Sequence, residues 1–203
     1  MNRRIGIFSG TFDPVHKGHI ALALQAIEQA GLELVYFMPE ARPRRKEGTT
    51  HYGHRTALIE IAIKPYKKLR VLEVPDKQFS VTKTMPRLKS MFKEDRLLII
   101  VGSDIAAYLA DAKQWPNASV LLKDFGVIVG LRGDATDKQI REKLEPLVDE
   151  LHIITTDKKH ASSSKIRRAV AGYAYHEDSL QGTKGYISRN WLYHSDAGSA
   201  KRS

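Results

Sequence analysis

Short runs of consecutive aliphatic residues alternate with amphipathic segments along most of this chain. The longest run, Leu97–Val101, contains no polar residue. A strand inside a parallel sheet is covered on both faces, so it reads as a continuous apolar run and not as an alternation. The run is far too short to cross a bilayer as a helix. This feature therefore predicts a folded α/β protein built on a parallel sheet.

The alternation predicts the position of each element. The predicted strands are Arg4–Phe8, Glu33–Met38, Leu69–Val74, Arg96–Val101, Phe125–Leu131 and Leu151–Ile154. The predicted helices are Gly18–Ala30, Tyr52–Ile63, Ser80–Met91, Thr136–Asp149, Ser163–Ala171 and Thr183–His194. Strands and helices alternate without an internal repeat, which predicts a doubly wound, Rossmann-like sheet that ends in C-terminal helices.

Length and composition indicate one domain. The chain has 203 residues, of which 42% are hydrophobic, and we predict a single domain over 1–194 with a small, polar, mobile tail over 195–203. It has no cysteine, which excludes disulfides and thiolate catalysis and favours a reducing, cytoplasmic location. The basic N-terminus leads into an apolar stretch that stops at Ser9, which favours a first strand over a signal peptide.

The charge of the chain favours anionic partners. Lysine and arginine number 33 against 23 acidic residues, a formal net charge of +10. Such a surface attracts nucleotides, nucleic acids or anionic membranes, and the charge alone does not choose among them.

The sequence GTFDPVHKGH, from Gly10 to His19, follows the first predicted strand. Gly10 allows the backbone to approach a ligand, and a helix beginning near Gly18 offers free N–H groups to an anion. His16 and His19 are three residues apart at that helix start, so both can face one ligand. The combination predicts a polyphosphate site, although neither a P-loop nor a G-x-G-x-x-G motif is present. Structural histidines or a metal pair are the alternatives, and zinc is disfavoured because thiolates and HExxH are missing.

Three further segments carry polar or aromatic side chains suited to nucleotides. The segment SSSKIR, Ser162–Arg167, begins with serines that can cap a helix, and its Arg167 can bind phosphate. The alternative is a capped surface helix that binds no ligand. PRRK, Pro43–Lys46, is either a solvated basic loop or a clamp on phosphates. GSD, Gly102–Asp104, follows the central strand; Asp104 can bind a ribose hydroxyl and Trp115 can stack on a heterocycle. A helix cap and core packing remain equally open for those two residues.

Together these motifs resemble the nucleotidyltransferase superfamily with an HxGH signature, and within it the bacterial-type nicotinate-nucleotide adenylyltransferases. The resemblance covers nearly the whole chain. It includes GTFDPVHKGH, PRRK with His54-Arg55, SVTKTM, GSD with Trp115, Arg132-Gly133, SSSKIR and the closing Tyr186-Ile187, Asn190 and Leu192-Tyr193. The chain departs from the family pattern in PRRK, in the spacing of Trp115 and at Pro116, all on the side of the acceptor, and at Gly185, where the family usually has an apolar residue.

The resemblance implies AMP transfer from ATP to the 5′-phosphate of nicotinate mononucleotide, giving deamido-NAD and pyrophosphate in NAD biosynthesis. It implies catalytic roles for His16, His19, Lys46 and Arg167. It implies ATP contacts by Gly10, Thr11, Phe12, His16, Gly18, His19, Arg132, Ser162, Ser163, Ser164 and Arg167. Mononucleotide contacts are implied for Thr82, Thr84, Asp104 and Trp115, and Mg²⁺ is expected mainly on phosphate oxygens, with no protein metal site.

Other functions stay open at this point. A related enzyme could use nicotinamide mononucleotide or phosphopantetheine as acceptor, or transfer a cytidylyl group. The chain could also be a non-catalytic module that binds nucleotides or RNA through its basic surface. Intact His16, His19 and SSSKIR favour an enzyme, for which we expect no membrane or nucleic-acid partner; a homo-oligomer is left open.

Overall fold

The computed structural model describes residues 2–43, 48–111, 113 and 118–194, with the backbone alone at 119–121. Its strands are β1 (Arg4–Gly10), β2 (Leu34–Pro39), β3 (Leu69–Val71), β4 (Arg96–Gly102), β5 (Gly126–Gly130) and β6 (Leu151–Ile154). Its helices are α1 (Lys17–Gln29), α2 (Tyr52–Ile63), α3 (Thr84–Met91), α4 (Ser103–Leu109), α5 (Ala118–Asp124), α6 (Asp137–Leu144), α7 (Ser163–Ala171) and α8 (Gln181–Arg189). The predicted tail, Lys46 and Trp115 lie outside the described residues.

The strands form one parallel sheet in the order β3-β2-β1-β4-β5-β6. The chain runs outward from β1 in one direction, then returns to pair β4 with the other side of β1. This is the doubly wound arrangement predicted from the alternation of strands and helices, and the fold class is confirmed. The strand order reverses between β1 and β4, so the crevice beyond their carboxyl ends is where a ligand binds in such sheets.

Helices cover both faces of the sheet, and each face has its own apolar core. Along β1, Ile7 points into one core and Phe8 into the other, as the pleat of a strand requires. Helices α1, α2, α7 and α8 pack on the face of Phe8, and α3 to α6 pack on the face of Ile7. Each fully buried Leu or Ile contributes about 1.5–3 kcal/mol, so the sheet provides a firm base for the loops at its edge.

The structure differs from the predicted elements where local contacts override periodicity. Helix α3 begins at Thr84 and not at Ser80, because the Thr84 hydroxyl accepts the Ser80 N–H at 3.0 Å and holds that segment in a turn. Helix α6 ends at Leu144, and a 3₁₀ turn at Glu145–Leu147 contains Pro146, whose ring does not fit a helix interior. Helices α4 and α5 were not predicted, because neither is long enough to show a helical period.

Helix α8 is likewise displaced from its predicted span, since it runs Gln181–Arg189 and the chain turns at Trp191 with φ +54°. No helix in the described part of the chain combines the length and apolar character needed to cross a membrane.

Candidate active site

The carboxyl ends of β1, β4 and β5 meet at one edge of the sheet. Each strand ends in a glycine, respectively Gly10, Gly102 and Gly130. The loop after β1 leads into α1, whose first residue follows His16. This places the GTFDPVHKGH sequence directly over the reversal point of the sheet, where the sequence analysis expected a ligand.

The two histidines of that sequence form a stacked, buried pair. Their ring centroids are 3.7 Å apart with 26° between the planes, and the side chains of His16 and His19 are 2% and 7% exposed. The N–H of His16 donates to Nδ1 of His19 at 3.2 Å. The rings of Phe8 and Phe12 meet His19 edge-on. The imidazole of His19 is therefore held in one orientation by a hydrogen bond and by aromatic packing.

The hydrogen bond to Nδ1 determines which nitrogen of His19 carries its proton. A neutral imidazole has one donor and one acceptor nitrogen, so a ring that accepts at Nδ1 donates at Nε2. That Nε2 lies 3.4 Å from the guanidinium Nη2 of Arg132, which also donates. Two donors thus converge at the crevice. Converging donors are the arrangement that an anionic oxygen between them would satisfy.

His16 is neutral at physiological pH. Burial, and then the positive charge of Arg132, lower the pKa of His16 to about 3. Its Nδ1 is buried and has no hydrogen-bond partner among the described residues. A buried polar atom without a partner is costly, and at a ligand site such an atom is commonly satisfied by the ligand.

A cleft opens beside this pair. Its lining includes Arg132, Lys158 and Lys159, all of which carry positive charge, together with the start of α1. Arg132 is anchored through its backbone, because its N–H donates to the hydroxyl of Ser103 at 3.1 Å. The amino-terminal end of the α1 dipole adds a partial positive charge, so the cleft is suited to a polyphosphate.

Gly18 is required by the close approach of two segments at this cleft. A β-carbon at Gly18 would lie 2.9 Å from Cβ of Ala161 and 3.1 Å from the ring of His16. Both distances are shorter than ordinary van der Waals contact. Glycine therefore lets the start of α1 pack against the turn that precedes α7.

The serine-rich sequence meets the first motif in space. The hydroxyl of Ser163 donates to the carbonyl of Pro14 at 2.9 Å, and Arg167 donates from Nη1 to the carbonyl of Asp13 at 2.6 Å and from Nη2 to the hydroxyl of Ser164 at 3.3 Å. Ser162 stands at the N-cap of α7, but its side chain makes no capping hydrogen bond. The structure thus brings the start of α7 against the loop after β1, across some 150 residues of sequence.

Two other residues predicted to bind ATP, Phe12 and Thr11, lie in the loop after β1. Phe12 has φ +50° and is 2% exposed, with its ring packed against Phe8, Phe37 and His19. Any contact of Phe12 with a ligand therefore comes from its main chain. The carbonyl of Thr11 accepts a hydrogen bond from Arg55.

The predicted acceptor residues are less closely assembled. Asp104 is exposed in the first turn of α4, at the carboxyl end of β4. The Thr82 hydroxyl is exposed and lies 3.2 Å from that of Ser80, whereas Thr84 has no exposed surface and binds the Ser80 backbone. Of the two threonines, Thr82 alone presents an accessible hydroxyl.

Two features of the site were not assigned from the sequence. Tyr193, from the closing segment, donates to Oδ1 of Asp13 at 2.8 Å, and burial followed by the charge of Asp13 raises the pKa of Tyr193 above its usual range. The sequence signal for this contact was the position of Asp13 within GTFDPVHKGH. Arg55, which the family resemblance included without assigning it a role, lies fully buried in α2.

Comparison with known proteins agrees with this geometry. Residues 7–169 match the cytidylyltransferase-like family. The nicotinate-nucleotide adenylyltransferase of Bacillus subtilis (strain 168) is 39% identical over 112 residues, which cover 53% of this chain and 59% of that enzyme. A probable nicotinate-nucleotide adenylyltransferase of Carboxydothermus hydrogenoformans is 30% identical over 175 residues, 82% of this chain and 86% of the relative.

A solved structure shares the fold. The Plasmodium falciparum nicotinic acid mononucleotide adenylyltransferase complexed with NaAD matches with a TM-score of 0.78, over 95% of this chain and 98% of that one, at 18% identity. The family match spans both the β1 loop and the start of α7, so it includes the two motifs that meet in the crevice. The family resemblance and the assignment as a nucleotidyltransferase are confirmed, and the chain belongs to the cytidylyltransferase-like family and, within it, to the nicotinate-nucleotide adenylyltransferases.

Proposed function

We propose that this chain transfers AMP from ATP to the 5′-phosphate of nicotinate mononucleotide, releasing pyrophosphate and forming deamido-NAD. The observation that carries the proposal is the convergence of two donors, Nε2 of His19 and the guanidinium of Arg132, at the start of α1. Curated relatives with this activity in their names support the choice of substrates.

The reaction is an in-line displacement at the α-phosphorus. An oxygen of the acceptor's 5′-phosphate forms the new P–O bond, and the bond from the α-phosphorus to the bridging oxygen of pyrophosphate breaks. Charge moves onto the bridging and non-bridging oxygens in the transition state. His19 and Arg132 donate to those oxygens, and no covalent enzyme intermediate is needed.

His16 acts in this scheme as a neutral donor. Because its pKa is lowered to about 3, it does not exchange protons near neutral pH. A neutral ring can hold a phosphate oxygen through N–H without the desolvation cost of a buried cation. Its stacking on His19 keeps both rings aimed at the same phosphate group.

The start of α7 supplies the second phosphate contact. Ser163 donates to the carbonyl of Pro14, and Arg167 donates to the carbonyl of Asp13 and to the hydroxyl of Ser164. The guanidinium of Arg167 has five N–H donors, so it can keep its bond to the carbonyl and also donate to a β- or γ-phosphate oxygen. We assign Ser162 and Lys46 to the same phosphate end, as the family pattern implies.

The proposed acceptor site contains Asp104, which would bind the ribose, and residues that would bind the pyridine ring. We assign Asp104, which is exposed, to a ribose hydroxyl, and the exposed hydroxyl of Thr82 to the nicotinate carboxylate. We assign Trp115 to the pyridine ring, from the family pattern. Thr84 is not retained in this role, because its hydroxyl is buried.

Magnesium would enter with ATP. Mg²⁺ prefers oxygen ligands and retains several of its waters. Four of the five polar side chains lining the cleft carry nitrogen and none is a carboxylate, and Asp13 is already bound by Tyr193 and by the N–H of Thr50. These residues fit a metal carried on phosphate oxygens, where it would neutralise charge on the triphosphate.

Turnover with matched acceptors tests the proposal. ATP, Mg²⁺ and nicotinate mononucleotide should yield pyrophosphate and the dinucleotide. Parallel reactions with nicotinamide mononucleotide, with phosphopantetheine, and with CTP in place of ATP measure the preference for acceptor and nucleotide. A larger kcat/KM for another acceptor would replace the proposed substrate, and absence of pyrophosphate in every reaction would exclude an enzymatic function.

A further inference from the structure

Arg55 joins three loops at the edge of the sheet. Its guanidinium donates to main-chain carbonyls of the β1 loop at Thr11 (2.6 Å), of the β2 loop at Glu40 (2.8 Å) and Ala41 (3.3 Å), and of the segment before α2 at Thr50 (2.8 Å). The side chain is 1% exposed. A buried cation surrounded by carbonyls is an unusual choice for a core position, since burial of charge is costly unless hydrogen bonds compensate.

The β2 loop in turn holds the segment that carries the proposed acceptor residue. The carboxylate of Glu40 accepts the N–H of Phe79 at 3.1 Å, and the N–H of Arg42 donates to the carbonyl of Lys77 at 2.7 Å. Phe79 is followed by the turn of Ser80 and Thr82. A continuous path of hydrogen bonds therefore runs from Thr11, on the ATP side, through Arg55 and Glu40 to the acceptor side.

We propose that Arg55 is a positioning residue that sets the distance between the ATP loop after β1 and the acceptor segment after β3. The inference rests on the proposed function. In-line attack requires the two phosphate groups to meet within about 3–3.5 Å, so a small shift of either loop impairs the reaction. A planar guanidinium with fixed donor directions can hold three segments at once, whereas a lysine ammonium acts as a single point charge.

Kinetics of two arginine variants separate positioning from simple stabilisation. Arg55→Lys should lower kcat/KM for both substrates by about 100-fold, measured well below its melting temperature. Arg96→Met is the matched control. Arg96 also makes several hydrogen bonds, to Glu150 and to the carbonyl of Asp124, but at the opposite edge of the sheet. If both variants lose the same stability and both keep wild-type kinetics, Arg55 is merely structural and the proposal is wrong.

A third variant tests the direction of the path. Glu40→Gln weakens the charge-assisted bond to Phe79 but leaves the Glu40 carbonyl available to Arg55. It should raise the KM of the acceptor several-fold with the KM of ATP unchanged. An equal rise in both KM values would contradict the view that the bond from Glu40 to Phe79 holds the acceptor segment alone.

Hydrogen exchange provides a readout that does not depend on the identity of the acceptor. The N–H groups of Glu40, Thr50 and Phe79 all donate to partners along the path. Arg55→Lys should speed exchange at all three, and Arg96→Met at none. If the wild-type chain makes no dinucleotide but exchange follows this pattern, the proposed function fails and the positioning role stands. Unchanged exchange in Arg55→Lys would overturn the positioning role by itself.

Discussion

His16 and His19 stack with their ring centroids 3.7 Å apart, and the backbone N–H of His16 donates to Nδ1 of His19. Two imidazolium ions do not persist at that separation inside a protein, because like charges repel strongly where water is excluded. At most one ring of the pair can therefore be charged, and Nδ1 of His19, which accepts an N–H, carries no proton.

Substitution of His19 tests its proposed role at the α-phosphate. His19→Ala should lower kcat by about 100- to 1,000-fold, the usual cost of removing one donor to a transition-state oxygen. Steady-state kinetics measure the loss, and thermal melting checks the fold. His152→Ala is a suitable control, since His152 bonds Glu150 and not the crevice. A His19→Ala enzyme with the wild-type rate would show that the ring only packs against Phe8 and Phe12.

The pKa of His16 predicts a specific acid sensitivity. Burial, followed by the charge of Arg132, lowers this pKa to about 3, against an ordinary value of 6.5. The unfolded chain therefore binds a proton more tightly than the folded protein between these values. The stabilising effect is complete above pH 6.5 and is lost as the pH falls toward 3. By pH 5 the loss amounts to about 2 kcal/mol.

Urea unfolding of wild type and His16→Asn at pH 7.5 and pH 5 measures that effect. The variant should lose less free energy of unfolding than the wild type over this interval, because it has no imidazole to protonate at position 16. Identical losses would show that His16 is protonated as easily in the folded protein as in the unfolded chain.

An ion network lies at the amino-terminal edge of the sheet, and we expect it to affect the stability of the fold but not the activity. Glu150 accepts hydrogen bonds from Arg4 and Arg96 and contacts His152. Burial raises the pKa of Glu150, but hydrogen bonds from Arg4 and His152 outweigh it and lower the pKa to about 2. The network therefore stabilises the fold above pH 4.5 and ceases to do so as the pH falls toward 2.

Glu150→Gln should lower the free energy of unfolding at pH 7 by roughly 1 kcal/mol, a figure reduced for the solvent that reaches this side chain. The difference from wild type should shrink in acid, and turnover by the folded enzyme should be unchanged. Glu145→Gln serves as the control, because Glu145 is exposed and, among the ion pairs of the described residues, pairs only with Arg141 of α6. A loss of turnover in Glu150→Gln would contradict the separation of this edge from the site.

Gly18 and Gly185 form a matched pair of glycines. Alanine at Gly18 would bring Cβ within 2.9 Å of Ala161, so Gly18→Ala should destabilise the fold by about 1–3 kcal/mol and raise the KM of ATP. Gly185 lies in α8 with no atom within 4 Å of an added Cβ, so Gly185→Ala should stabilise by about 0.4–1 kcal/mol with unchanged kinetics. Chemical denaturation and ATP titrations measure both. Equal tolerance at the two positions would mean that α1 can move away from Ala161 without cost.

Much of the fold could be read from hydrophobic patterning. Strand β6 and helices α2 and α7 were predicted with the bounds that the structure has. The two helices end close to Pro65 and Gly172, residues that disfavour continuation of a helix. Patterning did not reveal α4 and α5, which are too short to show a period. The family resemblance implied a mononucleotide contact for Thr84, and nothing local showed that its hydroxyl is used by the Ser80 backbone.

The sequence alone determined the alternation of strands and helices, the parallel sheet, and the position of His16 and His19 at a helix start, because these depend on neighbours within a few residues. The tertiary structure decided that Arg132, Ser163 and Arg167 reach the same crevice, and that Arg55 lies buried between three loops. Such contacts depend on strand order and on how helices pack across the sheet. No local period of the sequence specifies the strand order. These contacts could therefore be identified only in the folded chain.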